Sequence, residues 1–425
     1  MELEKFILDN EGTDPARLLL SRDRWPDVDM DLAVSTIESR KTLREKVPEW
    51  YRESRLLFPK SIGAQQCSSS ATASYKASLA ASLCGGGGFT LADLTGGFGV
   101  DSWAFGKEAS KVIYNEADPS LADAARHNFP ILGTENVVIS SKTLVPRAEL
   151  SGPEAATVGE ILAGAAPDII YLDPSRRDSA GRKVFLMEDC RPDVCALVPE
   201  LLEAAPIVIL KLSPMMDISL AIRDINHAAG KGAVTEMHVV SAGGECKELL
   251  AVLRKDSDVD EESVKVIVAD GPGRFSFTPE QERTASARPV PSPEHIVPGT
   301  VMFVPGKGLS KAGAFNLVSS RSGLLKAGRS THIYFGLVPE TLRPMGKCFI
   351  VNEVLHLDKK TLKETGRRHP RAEVSARNIP LDSEGLRRRL GCRPGGGEHI
   401  FGVRLEPSYG ASGNFLLVCS LSPEK

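Results

Sequence analysis

The sequence lacks the features of exported and membrane-embedded chains. It begins without a basic stretch followed by a long apolar run, and nowhere has the roughly 18 consecutive apolar residues of a spanning helix. Its eight cysteines are scattered, without a CxxC pair or a cysteine and histidine cluster at the spacing of zinc ligands. We therefore expect a cytoplasmic protein with reduced thiols, no membrane contact and no metal site.

Aromatic residues are few, at 6% of the 425 residues, and charged residues make up 25%. This composition is ordinary for soluble globular proteins and excludes disordered, collagen-like and membrane-bundle chains. The length predicts several domains.

Charge is unevenly distributed along the chain. Residues 343–425 contain 15 Lys and Arg against 9 Asp and Glu, whereas the preceding residues carry a net charge of −9. A basic segment on an acidic chain is typical of polyanion docking. The same count also fits a solvated surface with clustered arginines, so charge alone leaves both interpretations open.

Short β-rich runs alternate with helical patterns in the middle of the chain, which predicts an α/β fold with a parallel sheet covered on both faces. The predicted parallel strands are Thr90–Leu94, Val112–Glu116, Val137–Ser140, Ile169–Leu172 and Ile207–Leu212. The predicted helices between and after them are Asp101–Glu108, Ser120–Phe129, Glu154–Ala163, Val194–Ala205 and Ile218–Ala228. Two last strands, Met237–Val240 and Leu249–Leu253, are too close for a helical crossover, so we expect them to pair antiparallel. The result is a Rossmann-like, seven-stranded, mostly parallel sheet.

The flanking regions have other patterns. Amphipathic stretches without strand alternation predict a helical domain over residues 1–85, which precedes the sheet domain at 86–280. Beyond a Pro- and Gly-rich stretch, strands and helices mix again. We expect two small α+β domains there, at residues 281–342 and 343–425.

The glycine loop Asp93–Gly99 connects the first strand to its helix. Gly96, Gly97 and Gly99 permit positive φ and close approach of a ligand to the backbone, beside Thr95. Asp93 favours a cationic ligand, S-adenosylmethionine, over a dinucleotide, whose pyrophosphate a carboxylate opposes. The loop also lacks the third small residue of the nicotinamide fingerprint, although a nicotinamide oxidoreductase stays a rival interpretation.

A carboxylate ends the second strand, where a ribose ligand is expected. Glu116 is our candidate, next to Ala117, and Asp118 is the second choice.

The fourth strand ends in Asp173-Pro174-Ser175-Arg176-Arg177, beside the expected cofactor crevice. We interpret Asp173, Pro174 and Ser175 as the catalytic motif, in which the carboxylate and the proline carbonyl align a nitrogen nucleophile with the methyl group. Arg176, Arg177 and Lys211 are expected to contact the substrate. A turn capped by Asp173 with two surface arginines is the alternative.

The fifth strand tests a different chemistry. Methylation of uracil C5 requires an attacking thiolate, and Leu212-Ser213-Pro214 contains no cysteine. A nitrogen acceptor is therefore favoured.

Several stretches together carry a resemblance to one family. They are Gln66–Ser69 with Thr72–Ala77, Asp93–Asp101, Asp173–Arg177, Lys311–Gly313, and Ala376–Pro380 with Leu386–Leu390. The chain resembles the bacterial class I S-adenosylmethionine-dependent methyltransferases that bear a C-terminal THUMP-like domain.

The resemblance implies a helical N-terminal part, a class I methyltransferase domain, a ferredoxin-like module and a terminus that, by analogy with true THUMP domains, binds RNA. In that terminus we expect Arg377, Arg387 and Arg388 to contact phosphates. In the methyltransferases that the chain resembles, an acid on the third strand commonly contacts adenine; this chain has no acid there, so Ser140 or Ser141 is expected to substitute. The leading hypothesis is an RNA N-methyltransferase, and a catalytically silent RNA-binding adaptor is the alternative.

Overall fold

The computed structural model describes residues 2–175 and 190–422, and the chain divides into two compact units. The first comprises Met1–Met237 and Glu248–Glu261, and the second comprises His238–Lys247 and Glu262–Lys425. None of the helices in the described part of the chain is long and apolar enough to cross a membrane. The four-part division expected from the sequence stays a prediction beside these two units.

Helices precede the first strand, as the amphipathic patterns predict. They are α1 Glu2–Asp9, α2 Pro15–Leu20, α3 Met30–Lys46, α4 Pro48–Arg52, α5 Ser61–Gln66 and α6 Ser70–Leu83. Polar side chains cap their N-termini: Asp29 accepts the N–H of Leu32 in α3, and Ser69 forms a capping box with Thr72 in α6. Ile37 of α3 is fully buried in a small apolar core that α3 shares with residues of α1 and α2.

One of the two large sheets is mostly parallel. Its strands are β1 Thr90–Asp93, β2 Lys111–Asn115, β3 Val137–Ser140, β6 Ile169–Leu172, β7 Ile207–Leu212, β8 Val234–Ala242 and β9 Glu245–Arg254, and a separate parallel pair is β4 Thr143–Leu144 with β5 Ala155–Ala156. The order is β3-β2-β1-β6-β7, all parallel; β9 then pairs antiparallel with β7, and β8 follows. Two residues join β8 to β9, which is enough only for a hairpin. The predicted class I sheet is confirmed.

Helices cover this sheet. They are α7 Val100–Gly106, α8 Pro119–Ile131, α9 Val158–Leu162, α10 Val194–Ala204 and α11 Ile218–Ala229. The predicted helix Glu154–Ala163 is wrong at its start, because Ala155–Ala156 is a strand. Thr157 then starts α9 through a capping box with Glu160, which satisfies two N–H groups and sets the helix boundary.

Beyond residue 262, the described part of the second unit contains short strands and five α-helices. The strands are β10 Lys265–Asp270, β11 Gly273–Phe277, β12 Arg288–Pro289, β13 Val301–Pro305, β14 Leu325–Lys326, β15 Tyr334–Phe335, β16 Gly346–His356, β17 Glu373–Arg377, β18 Glu398–Leu405 and β19 Gly413–Leu421. The helices are α12 Pro279–Thr284, α13 Lys307–Ala312, α14 Phe315–Ser322, α15 Lys359–Arg368 and α16 Ser383–Leu390. Eight of these strands form a sheet in the order β12-β14-β15-β13-β16-β19-β18-β17. The antiparallel pair β10 and β11 instead follows β8 in the other sheet, which the sequence patterns do not predict.

The last helix, α16, has a capped N-terminus and one apolar face. Asp382 accepts the N–H of Gly385 at 2.7 Å and so caps the N-terminus. Leu386 and Leu390 are buried against the sheet strands of the same cluster, which leaves the arginines of the last turn at or near the surface.

Candidate active site

The glycine loop has the geometry that its sequence predicts. Gly97 and Gly99 adopt φ of 54° and 91°, in the left-handed region that favours glycine. A Cβ atom on Gly96 would lie 2.0 Å from the ring of Tyr114, so no side chain fits there. The Tyr114 hydroxyl donates to the carbonyl of Gly97 at 2.7 Å. The second strand therefore holds the loop in shape.

Asp93 lies beneath the loop. Its side chain is almost fully buried, with 1% exposed, and it accepts hydrogen bonds from the Thr95 N–H and the Ser102 hydroxyl. Burial raises the pKa of Asp93 to about 7, an effect that nearby Asp101 increases. The carboxylate thus organises the loop from below, and its predicted contact with a cofactor stays a prediction.

Glu116 meets the loop from the end of β2. Its carboxylate accepts the N–H of Gly97 at 2.7 Å and the N–H of Asp118 at 2.9 Å. Burial raises the pKa of Glu116 above its ordinary value. Ser140, on the neighbouring β3, accepts the Glu116 N–H through its carbonyl at 3.2 Å, and Ala117 is exposed next to it. The structure therefore brings the predicted ribose and adenine residues together.

Asp118, the second choice for the ribose, has structural partners. It caps α8 by accepting the Ser120 N–H at 3.0 Å, and it forms an ion pair with Lys60. Burial acts to raise the pKa of Asp118, but the hydrogen bonds from Lys60 and Ser120 outweigh this effect, so the pKa lies below its ordinary value.

The predicted catalytic motif begins where β6 ends. The Asp173 N–H donates to the Thr95 hydroxyl at 2.6 Å, so the motif is fixed to the glycine loop. Pro174 is buried and Ser175 is exposed. Ser175 and Arg191 exchange two backbone hydrogen bonds, of 2.8 and 3.0 Å. Arg176 and Arg177 lie outside the described residues.

Lys211 lies on β7, directly beside β6 in the sheet. Its ammonium donates to the Asp173 carboxylate at 2.7 Å, and its side chain is 14% exposed. The sequence predicts that Lys211 contacts the substrate. In the structure, Lys211 contacts Asp173, the predicted catalytic aspartate.

A cluster of buried polar side chains lies behind Asp173, and the sequence patterns do not predict it. It consists of Ser68, Lys76, Asp101, Tyr171 and Glu248, and we call it the buried charge cluster. The one sequence signal is Lys76, which stands on the buried face of α6 between Thr72 and Ala80. A charged side chain on an apolar helix face implies a buried partner, but not which one.

Aromatic rings attach the N-terminal helices to the glycine loop. Phe98 of the loop stacks on Phe58 with centroids 4.9 Å apart and on Trp50 at 6.0 Å. Trp103 of α7 meets Trp50 edge to face at 5.9 Å. Aromatic pairs of this kind stabilise beyond the area that they bury. The N-terminal helices are thus part of the support of the cofactor loop.

The three predicted phosphate contacts lie in the second unit. Arg377 is exposed on β17, and Arg388 is exposed on α16. Arg387 lies one residue before Arg388 and forms an ion pair with Glu384 at 2.5 Å. Among the residues that the structure describes, no group of three or more His, Cys, Asp or Glu side chains could hold a metal ion.

Comparisons with known proteins identify relatives of both parts. The sequence model of the THUMP domain-like family matches residues 346–420, from the start of β16 into β19. The structure is similar to the crystal structure of a presumed methyltransferase from Porphyromonas gingivalis W83, with 30% sequence identity and a TM-score of 0.81. That match covers 99% of this chain and 98% of the other.

Other similarities are partial. A presumed RNA methyltransferase from Pyrococcus horikoshii has 19% identity and a TM-score of 0.30, over 43% of this chain and 80% of that one. TrmN from Thermus thermophilus has 17% identity and a TM-score of 0.30, over 43% of this chain and 48% of that one. No curated protein matches the sequence.

Proposed function

Since the chain belongs to the class I S-adenosylmethionine-dependent methyltransferases with a C-terminal THUMP-like domain, we propose that it methylates a base nitrogen of RNA. The RNA in this proposal is a tRNA or an rRNA. The observation that carries the proposal is the bond between Thr95 and the Asp173 N–H, which joins the cofactor loop to the acceptor motif. Such an arrangement suits a transfer between two ligands held side by side.

The residues around the glycine loop fit S-adenosylmethionine. The positive φ of Gly97 and Gly99 leaves the backbone open to a ligand. Asp93 and Glu116 supply carboxylates near a ligand that carries ammonium and sulfonium charges. A pyrophosphate would need the loop amides, but the Gly97 N–H already donates to Glu116. This observation disfavours the nicotinamide interpretation.

In this proposal Asp173 positions the acceptor. Bound S-adenosylmethionine supplies an electrophilic methyl group. The Asp173 carboxylate is 36% exposed, and it is held on one side by Lys211, so an oxygen can accept the N–H of the acceptor nitrogen. The carbonyl of Pro174 and the hydroxyl of exposed Ser175 offer further hydrogen bonds at the same strand end. The protein thereby orients the nitrogen lone pair toward the methyl group.

The second unit supplies the means of holding RNA. Arg377 and Arg388 are exposed cations in the region that matches the THUMP-like family. Phosphate contacts from such side chains dominate the affinity for nucleic acid and carry little sequence information. We propose accordingly that the reaction takes place in the cytoplasm.

The decisive experiment measures methyl transfer to RNA. RNA from the source organism, isolated after deletion of the gene, would be incubated with the protein and methyl-labelled S-adenosylmethionine. Nuclease digestion and mass spectrometry would then identify the labelled nucleoside. A methylated base nitrogen is the expected result, whereas label in protein or a small molecule would refute the RNA proposal. Cofactor binding without transfer to any acceptor would favour the silent adaptor.

A further inference from the structure

Lys211 is an ammonium group at the end of an otherwise apolar strand. The sequence of β7 is Ile-Val-Ile-Leu-Lys-Leu, and its other five side chains are buried. Burying an ammonium group without partners is very unfavourable, so its surroundings must compensate for the lost hydration.

Three carboxylates surround Lys211. Asp173 Oδ2 is 2.7 Å from Nζ, Glu248 Oε2 is 3.8 Å away, and Asp101 Oδ2 is 4.0 Å away. The Ser68 hydroxyl accepts a longer hydrogen bond, at 3.4 Å. Only the contact with Asp173 is a close, direct ion pair. The other two carboxylates belong mainly to a different cation.

That second cation is Lys76, whose side chain is fully buried. Its Nζ donates to both oxygens of Glu248, at 2.8 and 3.0 Å, and to Ser68 at 2.8 Å, and it lies 3.1 Å from Asp101. The hydroxyls of Ser68 and Tyr171 each donate to Asp101 at 2.9 Å. Glu248 and Asp101 are therefore held in place, and they fix the position of Lys211.

Negative charges outnumber positive ones around Lys211. The ammonium groups of Lys76 and Lys211 face three carboxylates, of which Asp173 is the most exposed to solvent. The Asp101 carboxylate illustrates the effect: burial alone would raise its pKa, but Lys76 and Lys211 bring its pKa below the ordinary value. Without Lys211, the Asp173 carboxylate would face Asp101, Glu248 and Asp93 with Lys76 as the remaining cation.

We propose that Lys211 is a positioning residue, which acts through Asp173 by holding that carboxylate in place toward the acceptor nitrogen. The catalytic use of Asp173 rests on the proposed function, whereas the contact between the Lys211 ammonium group and the Asp173 carboxylate does not. Burial would lower the pKa of Lys211, but the carboxylates of Asp173, Asp101 and Glu248 raise it above its ordinary value. Lys211 therefore keeps its proton and does not act as the base.

The first test measures the position of the Asp173 carboxylate without any assay of activity. Crystal structures of the full chain would be determined for the wild type, K211M and K211R. In K211M the Asp173 carboxylate should leave the position that it holds beside Lys211 in the wild type, and in K211R it should return to that position. The matched control K265M removes an exposed lysine and should change nothing.

An unchanged position of the Asp173 carboxylate in K211M would overturn the proposal. If K211M does not fold, the double variant K211M/E248Q would be compared with E248Q, because Lys76 can still bond the amide that replaces Glu248. The Asp173 carboxylate should again be displaced in the double variant relative to E248Q, and the same position in both would reject the proposal.

A second measurement links this contact to catalysis. With the RNA of the transfer experiment, kcat should fall in K211M while KM for S-adenosylmethionine stays unchanged, and K211R should restore kcat. Equal losses of kcat in K211M and K211R, or a KM for S-adenosylmethionine that rises as much as kcat falls, would mean that Lys211 has only a structural role. If the wild type transfers no methyl group to RNA, the proposed function fails, and the crystal structures still decide the role of Lys211.

Discussion

The hydroxyl of Thr95 accepts the backbone N–H of Asp173 at 2.6 Å. Thr95 belongs to the loop after β1 and Asp173 to the motif after β6, and these two strands are neighbours in the sheet. This hydrogen bond adds to the pairing of β1 with β6, and in the proposed function it holds the cofactor loop beside the acceptor motif. Transfer reactions are sensitive to errors of about 1 Å in such a separation.

Thr95→Val should uncouple the two segments. It keeps the shape of the side chain and removes the acceptor of the Asp173 N–H, so we expect kcat to fall about tenfold through misplacement of the acceptor. The affinity for S-adenosylmethionine, measured by calorimetry, should change little. Thr95→Ser is the matched control and should keep most of the activity; equal losses in both variants would contradict this explanation.

Asp173→Asn should abolish transfer and spare the cofactor site. The amide cannot accept as strongly from an N–H group, and we expect kcat to fall by about 100-fold or more. Glu116→Ala provides the contrast: loss of a charged hydrogen-bond acceptor should weaken S-adenosylmethionine binding about tenfold or more. Transfer rates and calorimetry on both variants would check this division, and equal loss of binding in the two variants would show it to be wrong.

The affinity for S-adenosylmethionine should increase with pH. Burial raises the pKa of Asp93 to about 7, so its ionised fraction grows from about a tenth at pH 6 to about nine tenths at pH 8. Only the ionised form attracts a cationic ligand, which predicts an affinity about tenfold higher at pH 8. Calorimetry at both pH values would measure it.

Asp93→Asn should abolish most of this pH dependence of the affinity for S-adenosylmethionine. Folding stability should change with pH in the opposite direction. Because the folded protein holds the Asp93 proton more tightly than the unfolded chain does, ionisation of Asp93 lowers the stability of the ligand-free protein as pH rises from about 4 to about 7. A pH dependence that persists unchanged in the variant would assign it to another group, such as Glu116.

Gly96→Ala should destabilise the protein by about 2 kcal/mol, because the added methyl group would overlap the ring of Tyr114. Gly159→Ala is the control, since a Cβ atom there meets nothing within 4 Å in helix α9, and the alanine should be neutral or stabilising. Urea unfolding of the two variants would compare them. Equal stability of both would contradict the assigned overlap.

The double variant R388Q/R389Q should weaken RNA binding uniformly across sequences. If each arginine neutralises a phosphate, the slope of log affinity against log salt should fall in size by about 0.7 to 0.9 for each arginine removed. Filter binding over a range of salt concentrations would measure the slope. R17Q/R24Q, which removes exposed arginines from the N-terminal helices, should leave it unchanged.

Local patterns are sufficient to predict most of the sheet. The glycine loop, Glu116 and Asp173 can be located because strand ends and glycine turns lie close together in the sequence. The buried charge cluster cannot be found in this way, since Lys76 and Glu248 are 172 residues apart and only the fold joins them. Strand β10 contains the β-branched run Val266–Val268, but its place in this sheet depends on pairings with β8 and β11 that the local sequence does not reveal. Its partner β11, Gly273–Phe277, has alternating burial and little apolar sequence. The hydrogen bond that Asp93 accepts from the Ser102 hydroxyl likewise cannot be predicted from the strand end, because Ser102 lies further along the chain in α7.

The stack of Phe98 on Trp50 gives the protein a built-in optical reporter. Two of its three tryptophans, Trp50 and Trp103, lie in ring contact at the glycine loop, and Trp50 touches the loop itself through Phe98. A ligand that reshapes the loop will alter the surroundings of these indoles and hence their fluorescence. Cofactor occupancy can therefore be followed in real time on the unlabelled chain, before any substrate RNA has been identified.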